Sequence, residues 1–361
     1  MSCTALLFSV LAVSSSSAPV GAQAGNSALG NPYSPASGHP YRHGVVPTLT
    51  RAAKMKAYAH SHVVAAISSK DLHYQGGTHG VGVTSGKPRV YLVFWGRQWG
   101  TRGSDARGNY TFSGDPRGGA PYIERLFKGI GTGTERWSDT TIQYCDGPTV
   151  TVGATKCPSG SLHVGYPTGG ALAGAWYDSS HAEPGQATAH QLAAEAVAAA
   201  RHFGNTTPTR NRYTQYVILS PTGLNPDDYL NDGYCAWHDY TLDPSLDGGG
   251  AVASSVGPLA FTNLPYVMDL GTGCGAGLVN PGNALDGYSI NAGHEYAETL
   301  TDQFPAGGWL ASDGEEIGDL CSWRFSGAGH MADLRTTTGV FAMQGLWSNA
   351  AGGGIGGCAF P

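Results

Sequence analysis

Five consecutive residues, His294-Glu295-Tyr296-Ala297-Glu298, are the densest group of side chains able to do chemistry. On a helix, positions four apart share a face, so His294 and Glu298 would point at one place, with Glu295 one step round. An imidazole nitrogen and a carboxylate oxygen converging on a point suit a zinc-type ion, and the neighbouring carboxylate can move protons. The pattern is an HExxH metal helix with its second imidazole replaced by a carboxylate. A catalytic zinc site takes three protein ligands and a water. The missing ligand is expected from Gly314-Glu315-Glu316-Ile317-Gly318-Asp319-Leu320-Cys321, with Glu316 as ligand and Asp319 as an outer ligand or partner of His294; Asp302 is the rival. Glu295 is expected to act as general base and acid, and His238 or His330 to donate to a developing oxyanion.

Of only eight glutamates in the chain, four (Glu295, Glu298, Glu315 and Glu316) fall within 22 consecutive residues. With this composition, a chance H-E-x-x-E match is expected in well under roughly one in a hundred such chains. The bland alternative is a solvated glutamate pair on a helix and an acidic loop, which requires those carboxylates to face water. The chemistry implied is hydrolysis of protein or peptide bonds at Zn2+. Because two carboxylate ligands nearly neutralise the ion, its water should be less acidic, raising the pH optimum or favouring Mn2+ or Ca2+. A structural Ca2+ could also sit at Asp243–Gly250, although a turn is the default there.

Several elements must position these groups. Val90–Trp95 is a continuous apolar run, as a buried strand requires, and Gln215–Leu219 and Tyr266–Leu270 are two more. Gln186–Phe203 carries Ala, Leu and Val at helical spacing with Gly204 as its stop. Further helices are expected over Thr50–Ser68, Pro121–Gly129 and Ile290–Thr301. This order reads as an α/β fold: a zincin-like metallopeptidase core with a mixed sheet and an active-site helix, loop-rich and stapled by disulfides. Six cysteines remain after Cys3, with no CxxC pair, and proximity favours Cys145 with Cys157, Cys235 with Cys274, and Cys321 with Cys358.

The apolar run Ala5–Val13 and the Ala22-Gln23-Ala24 signature imply a secretion signal over residues 1–24, although a basic leading segment is missing. Residues 25–80 read as a pro-segment or flexible arm, and 81–361 as a single catalytic domain. Net charge is -6 and only 13% of residues are charged, so neither nucleic acid nor an anionic membrane is an expected partner. The reading is a secreted monomer acting on protein or peptide.

Leu72-His73-Tyr74-Gln75-Gly76-Gly77, Phe94-Trp95-Gly96, Tyr216–Cys235 with Trp237-His238, and Asn283 through Asp286-Gly287 and Ile290-Asn291 to Thr301-Asp302 together resemble the phosphate-induced, exordium-like secreted family of plants and its bacterial relatives. The resemblance covers about residues 70 to 358. It implies a shared fold and an extracellular, cell-wall-associated protein. Plant members lack the His-Glu pair, whereas this chain carries His294, Glu295 and Glu298. It also supplies the non-catalytic alternative, a wall- or carbohydrate-associated protein in which some of the 18 Tyr and 8 Trp stack on sugars.

Overall fold

A computed structural model describes Met1 and residues 32–33, 43–61 and 71–361. The expected secretion signal and much of the N-terminal arm lie outside the described residues. Strands β2 (Arg89–Trp95) and β4 (Thr214–Leu219) form where the apolar runs demand. Their side chains alternate between two cores: Val90, Leu92 and Phe94 enter one, Tyr91 and Val93 the other. Both strands are buried on two faces, which is why they read as continuous rather than alternating apolar runs.

The sheet has six strands. To β2 and β4 it adds β1 (His43–Pro47), β3 (Leu172–Asp178), β5 (Tyr234–Tyr240) and β6 (Ala260–Leu264), in the order β1-β5-β6-β4-β2-β3. The β3, β2, β4 and β6 strands run parallel, while β5 and β1 close one edge antiparallel. The strand expected at Tyr266–Leu270 is displaced: Ala260–Leu264 pairs with Gln215–Leu219, and Val267–Cys274 is a 3-10 segment. Pro265 separates the two halves of that apolar stretch, and having no N–H it cannot continue a central ladder. Strand β5 carries Cys, His and Asp among its aromatics and so hides from an apolar-run criterion, yet all seven of its residues are buried.

Helices cover both faces, giving a three-layer sandwich. Between β3 and β4, α3 (Ala189–His202) packs against the core of Tyr91, Tyr216 and Trp237. Its start is fixed by a capping box in which Thr188 Oγ1 accepts from Gln191 N at 3.3 Å and Gln191 Oε1 accepts from Thr188 N at 2.9 Å. On the other face lie α2 (Gly119–Gly129) and α4 (Asp286–Thr301). Helix α4 begins one turn before the expected Ile290. Gly287 in that turn is no helix breaker: a Cβ there would stand 2.1 Å from the Cys274 carbonyl oxygen, so only glycine allows the approach. Among the N-terminal residues, α1 (Leu49–Ser61) follows β1, and His73–Tyr74 pairs antiparallel with Trp309–Leu310. No described helix is long and apolar enough to cross a membrane.

Three disulfides join Cys145 to Cys157, Cys235 to Cys274 and Cys321 to Cys358, the pairs favoured by proximity. The second ties β5 to the segment leading into α4, and the third holds the acidic turn around Asp319.

In a doubly wound sheet, ligands enter where strand order reverses, beyond the carboxyl ends. Here that point lies between β2 and β4, and the protein fills it with its own side chains. Trp99 Nε1 donates to the Leu219 carbonyl at 3.2 Å, Ser220 Oγ donates to Glu183 Oε1 at 2.6 Å, and the Gln98 amide bonds the Glu183 backbone at 2.7 and 3.0 Å. Burial, with Glu195 nearby, pushes the Glu183 carboxyl up from 4.5 to about 8. A carboxyl raised on folding contributes stability that is fully present below about pH 4.5 and is lost as pH rises through about 8, a change on the order of 3–5 kcal/mol. Glu183→Gln keeps the neutral shape and the acceptor for Ser220. Its unfolding midpoint should therefore fall less between pH 5 and 8 than the wild type's in thermal denaturation monitored by circular dichroism; an unchanged decline would remove Glu183 as its source.

Candidate metal centre

All sixteen residues of α4 are buried, so its polar groups must find partners in the protein. Most do. Ser289 Oγ donates to the Ala342 carbonyl at 2.6 Å, and Asn291 Nδ2 to the carbonyls of Cys274 and Gly287 at 3.0 and 2.6 Å. Gln215 on β4 spans from sheet to helix, its Nε2 donating to Thr299 Oγ1 at 2.9 Å, Thr262 Oγ1 at 2.6 Å and the Glu295 carbonyl at 3.2 Å. These bonds set the rotation and height of α4 on the sheet, and with them the positions of His294, Glu295 and Glu298. The bland reading of those glutamates as a solvated pair fails, because both are 0% exposed.

The acidic turn meets the helix. Gly318 N and Asp319 N each donate to Glu298 Oε1 at 3.1 Å, and a Cβ on Gly318 would come within 2.8 Å of both that oxygen and His294 Nδ1. His294 Nε2 lies 2.9 Å from Glu298 Oε1 and 3.5 Å from Asp319 Oδ1. His294, Glu298 and Asp319 thus form one group able to hold a metal ion. Glu316, the expected third ligand, turns away from His294: its Oε2 lies 3.6 Å from His238 Nε2, and it joins His238 and Glu298 in a second such group. Asp319 takes the place beside His294. Asp302 joins neither group; it accepts from the backbone N–H of Ala306, Gly307 and Gly308 as a cap for the turn after α4. His330 is an exposed side chain bonded to the Gly327 carbonyl and belongs to neither group. The Asp243–Gly250 stretch is a turn in which Ser245 N and Oγ donate to Asp243 Oδ1.

The tautomer open to a neutral His294 follows from Gln344, on the loop after β8 (Val340–Met343), which pairs with β7 (Ala332–Arg335). Gln344 Nε2 donates to the Gly318 carbonyl at 2.8 Å, which can only accept; its Oε1 therefore faces His294 Nδ1 at 3.1 Å and must accept a proton from it. A neutral His294 consequently presents an unprotonated Nε2 to the Glu298–Asp319 side, the form a metal ligand needs. Sequence reading missed Gln344 because nothing local to it marks a role; only the third dimension brings it 50 residues back to His294.

Strand β5 brings His238 over the same helix. Its Nδ1 is 3.3 Å from Glu295 Oε2 and 3.6 Å from Glu298 Oε2. Beneath it, β1 runs antiparallel to β5, and Gly44, at φ +54°, lies so close that a Cβ would meet Glu298 Oε2 at 2.0 Å and His238 at 2.6 Å. Burial drives the carboxyl of Glu298 up to about 7, assisted by Asp319 and opposed by His294; burial likewise raises Glu295 and Glu316. Burial alone would keep the His294 ring neutral, but Glu298 and Asp319 outweigh it and favour the cation. Buried carboxylates crowded together, with no lysine or arginine paired to them among the described residues, are placed for a cation to compensate.

Replacing Gln344 with Leu removes the acceptor for His294 Nδ1–H. Metal affinity should then weaken about 10–100-fold, measured by competition with a chelating dye, while Gln344→Glu, which still accepts, keeps most of it. Equal losses in both would show that Gln344 does not orient His294.

No protein-family model, curated protein or solved structure matches the chain.

Proposed function

We propose that the protein is a secreted zinc-dependent endopeptidase whose ion is held by His294, Glu298 and Asp319. The observation that supports this most directly is the convergence of the ligand atoms of His294, Glu298 and Asp319, with Gln344 placed so that a neutral His294 offers Nε2 to that point, beside a further carboxylate, Glu295, whose Oε1 has no hydrogen-bond partner. Zinc held there supplies a Lewis acid for a peptide carbonyl and a water of lowered pKa. With the ion bound, Glu295 would be the group placed to hold a proton beside it and to pass that proton to a leaving amine. His238, against Glu295 Oε2, fixes the orientation of the base, a positioning role rather than the expected oxyanion donation. Three disulfides suit an oxidising, extracellular location.

Strand β1 shuts the centre from one side. Trp323 Nε1 donates to the Pro47 carbonyl at 2.7 Å, and Thr48 N to the Gly233 carbonyl at 2.9 Å, so the strand is tied at its end as well as along β5. A substrate cannot reach a centre this buried with β1 in place. The N-terminal arm therefore acts as a pro-segment, and hydrolysis begins once it departs. The exordium-like resemblance favours a second, non-catalytic reading, to which the same burial adds a structural ion closed off from water.

Two experiments separate these readings. Glu295→Gln should retain its metal and lose casein hydrolysis by about 10²–10⁴-fold; unchanged hydrolysis would take Glu295 out of the mechanism. A specific protease site inserted between Ser61 and Asp71 should, on cleavage and release of the arm, raise hydrolysis by wild type and not by the Gln variant. Metal retained with no gain in activity would point to the structural ion.

A further inference from the structure

Glu298 presents its two oxygens to two different groups. Oε1 faces His294 Nε2 at 2.9 Å on the Asp319 side, and Oε2 faces His238 Nδ1 at 3.6 Å, the ring whose Nε2 lies 3.6 Å from Glu316 Oε2. The candidate ligands divide into two groups of three that share only Glu298. We propose that the centre is dinuclear: a second divalent cation of the zinc or manganese class is held by His238, Glu298 and Glu316, with the Glu298 carboxylate bridging it to the ion at His294 and Asp319. This inference rests on the first ion being bound as proposed above.

Two independent observations carry it. The first is orphaned acceptors. Glu316 Oε2 and Glu298 Oε2 are buried without a hydrogen-bond donor, in residues only 2% and 0% exposed, and both belong to the second group. Leaving such atoms unpaired costs on the order of 1–3 kcal/mol each, more when charged, and an ion at the second group satisfies both. The second is charge. Among the described residues, Glu295, Glu298, Glu316 and Asp319 have His238 and His294 as ion-pair partners, and the lysine and arginine pairs lie elsewhere, at Asp105, Glu124, Asp139 and Asp146. When ionised, the four carboxylates carry four negative charges in a dry pocket. A cation in each group brings positive charge to carboxylates that water cannot reach. Carboxylate-bridged pairs of this kind hold their metals about 3.5–4 Å apart and serve hydrolases that stabilise both attacking and leaving groups.

The full-length protein, stripped with a chelator and reloaded separately with Zn2+ and with Mn2+, should bind two ions per chain by elemental analysis. Mn2+-loaded wild type should give the electron paramagnetic resonance spectrum of a spin-coupled pair. Glu316→Gln should bind one ion and give an uncoupled spectrum, and Asp319→Asn should likewise fall to one. The wild-type count and spectrum need no variant, so a misfolded substitution leaves the test intact. One ion per wild-type chain, lost in Asp319→Asn and kept in Glu316→Gln, overturns the dinuclear centre and leaves the His294 site standing. Two uncoupled ions overturn the bridge. No bound ion overturns both this inference and the proposed function.

Discussion

The burial of Glu298 is the constraint around which this protein is arranged. A carboxylate with no access to water must be met by N–H groups, by cations or by a proton, and each demands a neighbour at a defined place. The backbone amides of Gly318 and Asp319 meet one oxygen, which brings the acidic turn against α4. Close backbone approach then excludes side chains, so the two sides of Glu298 are glycines, Gly318 and Gly44, the latter in the left-handed region where glycine carries little penalty. Gln344, anchored on the Gly318 carbonyl, orients His294 against the same group. Helix, acidic turn, β8 loop and N-terminal strand are located by one side chain.

Sequence carries the local part of this well. Helical spacing put His294 and Glu298 on one face, and the clustering of scarce glutamates drew attention to the acidic turn, because both are properties of short segments. Which acid sits beside His294 is set by the path of the turn: Glu316 and Asp319 are three residues apart, and the backbone bonds to Glu298 direct Asp319 to one side and Glu316 to the other. His238 was visible as a residue of interest, but not as a neighbour of Glu295, since β5 is a polar-looking strand whose place beside β6 depends on long-range pairing. The apolar stretch around Pro265 was legible as sheet material, yet its side of the proline was decided by register with β4.

The topology explains where the candidate centre lies. The usual crevice of a doubly wound sheet is sealed by Trp99, Gln98, Glu183 and Ser220, and the candidate centre sits instead under the antiparallel edge formed by β5 and β1. An edge strand can peel away without unpairing the parallel core, whereas a site at the switch point would be gated by central strands.

The bond between Cys321 and Cys358 sets an order of assembly. It anchors the turn that bears Glu316 and Asp319 to the C-terminal end of the chain, 37 residues on. Until that bond closes, the turn has its backbone contacts to Glu298 but no covalent tether to the last strand. A chain in which that bond is open therefore holds Glu316 and Asp319 less firmly against α4, and the geometry of the two carboxylates around Glu298 is set once the bond has closed.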